Sequence, residues 1–248
     1  MKKTMLAGVV LLATLSAAAP VVASENEVSL GLKFWSSTWK ETVNTSGGTR
    51  DFKNGTELMV GPALHARFLN DWFATATYLI ALGDYESPNW ITSGDRMKFE
   101  RTDTEFQAGY LIRDQYNDLT VGFFVAYKAI DAPASYTDGT AGFSDIGTWK
   151  LSGPGLGVFA EKHLNTSTTL SGSLAYLFLQ QEFSYSSGAV SRFDSGGWSF
   201  DASVAHAFTE RISADVGVRY QRFKGEMVNG NEVTDSFSGL TAGIAYTF

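Results

Sequence analysis

A chain of 248 residues with 44% hydrophobic, 18% charged and 14% aromatic side chains, 25 Gly and no Cys is no disulfide scaffold, collagen or disordered polymer. Its formal net charge of -7 and the lack of any basic stripe exclude a nucleic-acid footprint.

Lys2 and Lys3 form a positive start, Met5 to Ala19 is apolar apart from Gly8, Thr14 and Ser16, and Val21, Val22 and Ala23 offer small residues for cleavage. This pattern predicts a secretory signal peptide over 1–23, cleaved after Ala23, and a mature domain over 24–248. Removing that segment takes two Lys and no acid, so the mature chain is more acidic still. No later stretch reaches the roughly 18 apolar residues of a transmembrane helix.

From Glu27 onward the dominant period is two. Val28, Leu30, Leu32 and Phe34 alternate with Ser29, Gly31 and Lys33 in the first predicted strand. The second sets Leu58, Val60, Leu64, Ala66 and Phe68 against Glu57, Gly61, His65 and Arg67, and the third carries Trp72, Ala74, Ala76, Tyr78, Ile80 and Leu82. In the fourth, Arg101, Asp103, Glu105 and Gln107 lie opposite Phe106, Ala108, Tyr110 and Ile112. The fifth to eighth follow through Val121 to Tyr127, Leu156 to Ala160, Leu170 to Phe178 and Trp198 to Val204. Ile212 to Tyr220 alternates with Asp215 and Arg219 in the ninth, and Leu240, Ala242, Ile244, Tyr246 and Phe248 end the tenth.

The connectors alternate in length. Short ones are predicted at 69–71, 113–118, 163–166 and 209–211, and long ones at 39–56, 83–98, 131–147, 184–195 and 224–232. That is an up-and-down meander with both termini on the short-turn side. One face is bulky and apolar while the other carries Gly, Ser, Ala, Thr and a few charges, the reverse of a water-facing sandwich. Lipid leaves backbone groups unsatisfied, so such a sheet must close on itself. Phe68, Trp72, Tyr110, Phe208, Tyr246 and Phe248 gather at one rim, and Tyr127, Tyr176, Phe178, Trp198, Phe200 and Tyr220 at the other, as two interfacial girdles.

Over its whole mature length the chain resembles the outer-membrane β-barrel proteins of Gram-negative bacteria. The C-terminus is the most specific motif: Thr241, Gly243, Tyr246 and the terminal Phe248 look like the signal read by the barrel assembly machinery. The resemblance implies a bacterial outer-membrane location, with outer-membrane lipid as its surroundings. It also implies that the assembly machinery and periplasmic chaperones are transient partners. The expected fold is an all-β, ten-stranded antiparallel up-and-down transmembrane barrel, monomeric and without a cofactor.

The predicted lumen carries Glu57, Arg67, Arg101, Asp103, Glu105, Lys128, Glu161, Asp201, Asp215 and Arg219, both signs on neighbouring strands. A barrel of this size is filled largely by its own side chains, so a charge-paired interior is expected. Catalysis finds little footing. Omptin-type proteases need paired acids and an Asp–His pair at the outer rim, but Asp201 and His206 fall on opposite faces, His206 near the periplasmic end. Lipid A deacylases pair a Ser with a His on the lipid-facing wall, and no Ser sits beside His206 in that pattern. His65, His163 and His206 all read as interfacial anchors rather than bases or metal ligands. Asp84, Glu86, Asp138, Asp145 and Asp194 in the outer loops lack EF-hand spacing, so no metal site is predicted. Trp90, Ile91, Tyr136, Phe143 and Phe193 leave those loops room for a partner. Two roles follow: a structural or narrow, porin-like small-solute passage protein, or alternatively a surface binding module, adhesin or receptor, acting through its loops.

Overall fold

A computed structural model describes residues 27–68, 71–88, 94–114, 118–138, 142–227 and 229–248. The signal segment and the loop residues Trp90 and Ile91 lie outside the described residues. No helix occurs among the described residues, which form one antiparallel sheet of twelve strands. These are β1 (Glu27–Thr45), β2 (Gly48–Phe68), β3 (Trp72–Ala81), β4 (Tyr85–Pro88), β5 (Arg96–Phe99) and β6 (Thr102–Asp114). They continue as β7 (Leu119–Thr137), β8 (Ser144–His163), β9 (Thr168–Tyr185), β10 (Val190–Ala207), β11 (Ile212–Glu226) and β12 (Glu232–Thr247). β4 and β5 prolong β3 and β6 outward, with β5 pairing to β7, so the wall has ten staves. It closes because β1 pairs with β12 from Ser29↔Thr247 to Asn44↔Glu232.

Each of the ten staves presents the face read from the alternation, while β4 and β5 arise within the segment expected as a connector over 83–98. Leu32, Leu64, Phe106, Phe123, Leu156, Val158, Val216 and Leu240 are exposed on the outer wall. So large an apolar band is stable only against lipid. The girdles are packed as well as aligned: Trp72 meets Tyr110 edge-on at 5.3 Å at the short-turn rim. At the other rim Tyr176 contacts both Phe178 and Trp198 at 5.0 Å.

The long connectors differ from the expectation. Segment 39–56 is mostly strand, with β1 and β2 running on to a tight turn between Thr45 and Gly48. β7 likewise reaches Thr137 before β8 starts at Ser144, and β9 reaches Tyr185 before β10 starts at Val190. A bilayer needs about 9–11 residues per strand, whereas these strands have 18 to 21, so the wall stands well above the outer girdle. There the outward residues meet water and turn polar, as at Lys40 and Thr42. The apolar alternation therefore stops while backbone pairing continues.

The short turns follow from side-chain chemistry. Asn165 Oδ1 accepts from the backbone N–H of Ser167 at 2.9 Å and Thr168 at 2.8 Å, and Thr209 Oγ1 does the same for Arg211 at 3.2 Å and Ile212 at 3.0 Å. Inside, glycine makes room for bulk. A Cβ on Gly157 would lie 2.3 Å from the Phe124 ring, whose face fills the lumen there. Gly157→Val is therefore expected to destabilise the barrel by about 1–3 kcal/mol, read as a lower melting temperature in detergent.

Candidate functional site

The lumen has three layers. At about the level of the outer girdle, where Lys128 follows Tyr127, a belt of charges of alternating sign runs across it. Arg101 Nη2 donates to Asp103 Oδ2 at 2.7 Å, and Lys128 Nζ bridges Asp103 Oδ1 at 2.7 Å and Glu105 Oε2 at 3.2 Å. Glu105 Oε2 then lies 3.7 Å from Arg219 Nη1, and Arg219 Nε donates to Asp201 Oδ1 at 2.6 Å. β6, which carries Glu105, and β11, which carries Arg219, lie five staves apart in a ten-stave wall. This contact therefore joins opposite walls. Arg101, Asp103 and Lys128 are at most 2% exposed, and such charges are tolerated only when paired and hydrogen-bonded. The Arg101 guanidinium also stacks 3.9 Å from the Phe237 ring centroid and 4.9 Å from that of Trp35, with Ser37 Oγ 3.3 Å from its Nη1.

Above the belt the interior is dominated by aromatic and aliphatic side chains packed around the buried Asp235–Gln181 pair, which the alternation did not predict. Trp39 on β1 packs against Trp149 on β8, again five staves away, at 5.1 Å. Phe99 at 4.8 Å, Phe237 at 5.4 Å and Tyr85 at 5.8 Å complete its shell. Met59, Leu79, Ile130, Leu151, Leu177 and Phe223 fill the remainder with almost no exposure. The signal was present in the sequence: Trp35, Trp39 and Phe237 sit at inward parity, as do Phe73 and Phe124 nearer the short-turn end. A reading that assigned apolar residues to lipid passed over them.

Below the belt lies a polar vestibule of about 350 Å³, lined by Ser29, Thr75, Thr77, Gln107, Ser203 and Thr241 among others. Lys33, absent from the predicted set, pairs there with Asp215 at 2.6 Å. Arg67 reaches Glu161 at 3.1 Å, from β2 to β8, near the short-turn end. Arg101, Asp103, Glu105, Lys128, Asp201 and Arg219 are thus brought together, while Arg67 and Asp215 form separate pairs. Glu57 stands apart near the outer rim, where Gly83 leaves space for its carboxylate.

No protein-family model and no curated protein matches the sequence. Solved structures do match. The outer membrane protease OmpT from Escherichia coli is 15% identical, with 90% of this chain and 96% of that one covered, at a TM-score of 0.54. Neisserial surface protein A (NspA) is 16% identical over 91% and 98% of the chains at a TM-score of 0.38. The Pseudomonas putida toluene transporter TodX is 12% identical over 95% and 91% at 0.34. Of these three, the OmpT superposition carries the likeness, and at this identity it shows the fold. The chain is built as a Gram-negative outer-membrane β-barrel. Its exposed apolar band and two girdles suit that barrel to a lipid bilayer.

The C-terminal residues of the barrel have structural duties. A Cβ on Gly243 would lie 2.3 Å from Asp215 Oδ1, so this glycine makes room for the Lys33–Asp215 pair. Thr241 is buried and faces the lumen, whereas Tyr246 and Phe248 face outward, 5.1 Å apart edge-on. Arg211 Nη1 donates to the Tyr246 hydroxyl at 3.1 Å.

His163 and His206 lie near the short-turn end, whereas His65 lines the vestibule whose far wall carries Glu105, Asp201 and Arg219. His163 and His206 contact Thr169 and Thr168 at 2.9 and 3.2 Å, but His65 faces the vestibule rather than the interface. Among the loop aromatics, Tyr136 donates to Asp95 Oδ2 at 3.4 Å, and Phe143 lies under the Lys98 ammonium at 4.4 Å. Phe193 lies inside the wall, across from Gln181. On the extension above the membrane, the hydrogen bond from Arg192 holds the Glu182 carboxyl below its usual range.

Proposed function

We propose that this barrel neither conducts nor catalyses, and acts as a surface binding module through the strand extensions that stand above the outer leaflet. The observation that carries this reading is the Glu105–Arg219 contact between opposite walls, roofed by the Trp39–Trp149 plug. A hydrated path needs a continuous polar route, and this plug interrupts one. The absence of catalysis is supported by the pairing of Asp103, Glu105 and Asp201 with Lys128 and Arg219, which leaves none of these acids without a cation. The surface role is supported by the length of the paired hairpins, a rigid platform of the kind on which binding loops are usually carried. On the same reading the chain is a monomer in outer-membrane lipid. Thr241, Gly243, Tyr246 and Phe248 then present the signal to the assembly machinery, after periplasmic chaperones have delivered the chain.

Planar-bilayer recording of the purified protein tests this directly. A silent membrane is expected, together with binding to cells or surface glycans that is lost when the 186–189 and 138–143 tips are replaced by short Gly-Ser turns. Reproducible single-channel steps from the unaltered protein would instead favour a passage role.

A further inference from the structure

The outer part of the lumen holds a second polar group that the charge belt does not use. Glu41 on β1 and Asp235 on β12 are direct cross-strand partners, so both lie on the interior face. Like charges placed opposite one another repel, and Asp235 is fully buried. Among the described residues neither carboxylate has a Lys or Arg within ion-pair distance. The guanidinium that acts on Asp235, that of Arg101, is already held by Asp103.

Asp235 accepts from Trp39 Nε1 at 3.0 Å and from Gln181 Nε2 at 2.8 Å. The second bond places the Gln181 amide against the carboxylate, yet its other atom, Oε1, is buried without a partner. Ser195 Oγ, on the strand between β9 and β11, is buried without a partner as well. A buried orphan costs about 1–3 kcal/mol and calls for an explanation such as a bound ion. A shared proton would relieve the two carboxylates but leave the amide oxygen unsatisfied. A cation relieves both.

We propose that Glu41, Asp235 and the Gln181 Oε1 form a site for one divalent, oxygen-seeking cation of the calcium type, with Ser195 and water completing its shell. Two carboxylates balance the double charge. An irregular set of protein oxygens suits calcium, which takes about 6–8 ligands in flexible geometry, better than magnesium, which demands an octahedron and keeps its water. Glu41 is only half-buried, which gives entry from the outer opening. The ion would join β1, β9 and β12, fastening the outer end of the seam where the first and last strands meet. This proposal is independent of the role proposed for the hairpins.

Terbium luminescence of the full mature protein in chelator-stripped detergent micelles provides the test, because Trp39, hydrogen-bonded to Asp235, sits where it can sensitise the ion. One saturating equivalent is expected, displaced by calcium and far less readily by magnesium, with calcium raising the melting temperature. Glu41→Gln, at a half-exposed position that leaves the fold intact, is expected to weaken binding by about tenfold or more. Asp235→Asn is expected to abolish it. Absence of a saturable signal, or a signal unchanged in Glu41→Gln, overturns the proposal. So does a wild-type melting temperature that ignores calcium but rises on acidification, the behaviour of a proton-sharing pair.

Discussion

Arg101→Glu is expected to destabilise the folded barrel by about 3–5 kcal/mol, the range for removing one partner of a buried ion pair. Arg101 is 1% exposed and makes three kinds of contact at once: the 2.7 Å pair with Asp103, the bond to Ser37, and the stack on Phe237 and Trp35. The substitution removes all three and sets two carboxylates side by side, leaving Lys128 as the one cation in contact with Asp103, while Glu105 keeps Arg219 as well. The readout is the temperature at which the folded form is lost in detergent, followed by circular dichroism. Arg101→Lys keeps the charge but loses the planar stack and is expected to fall between the two. Combining Arg101→Glu with Asp103→Arg restores the charge balance and should recover part of the loss, as coupled neighbours do. An unchanged melting profile in Arg101→Glu would show that the belt adds nothing to stability.

Trp39→Ala is expected to cost a similar amount, about 3–5 kcal/mol, for a different reason. The side chain is fully buried and contacts Tyr85, Phe99, Trp149 and Phe237, so its removal leaves a hole on the lumen axis that the rigid wall cannot close. It also strips Asp235 of one donor. Chemical unfolding in detergent measures the loss. Conductance separates the layers: Trp39→Ala alone should stay silent, because Glu105–Arg219 still crosses the lumen beneath it, whereas adding Arg219→Ala should produce steps. Steps from Trp39→Ala alone would mean that the belt is no barrier and the plug is the only closure.

Much of this architecture was legible because strand parity is strict. An outward residue is two positions from the next outward residue whatever its neighbours do, so Leu58 to Phe68 or Ile212 to Tyr220 declare their face without tertiary knowledge. The same parity placed Arg101, Asp103 and Glu105 on the inner face of one strand. It could not foretell that Glu105 meets Arg219 rather than Arg67, because partners across a lumen depend on stave order and stagger around the closed wall. Nor did it mark where strands end above the membrane. At Lys40 and Arg222 the outer face is polar, and the contrast on which the reading relied is gone.

By itself, then, the amino-acid order determined that the sheet has two unlike faces, how many staves carry them, which rim holds the short turns and which residues line the interior. These follow from local periodicity and turn chemistry, which act between residues close along the chain. Only the closed tertiary structure decided that Trp39 and Trp149 meet across the lumen, that Lys33 rather than a belt residue takes Asp215, and that Glu41 and Asp235 face one another without a counterion. Those contacts join residues far apart in the chain, and they exist only once β1 has found β12 and set the register of every stave between.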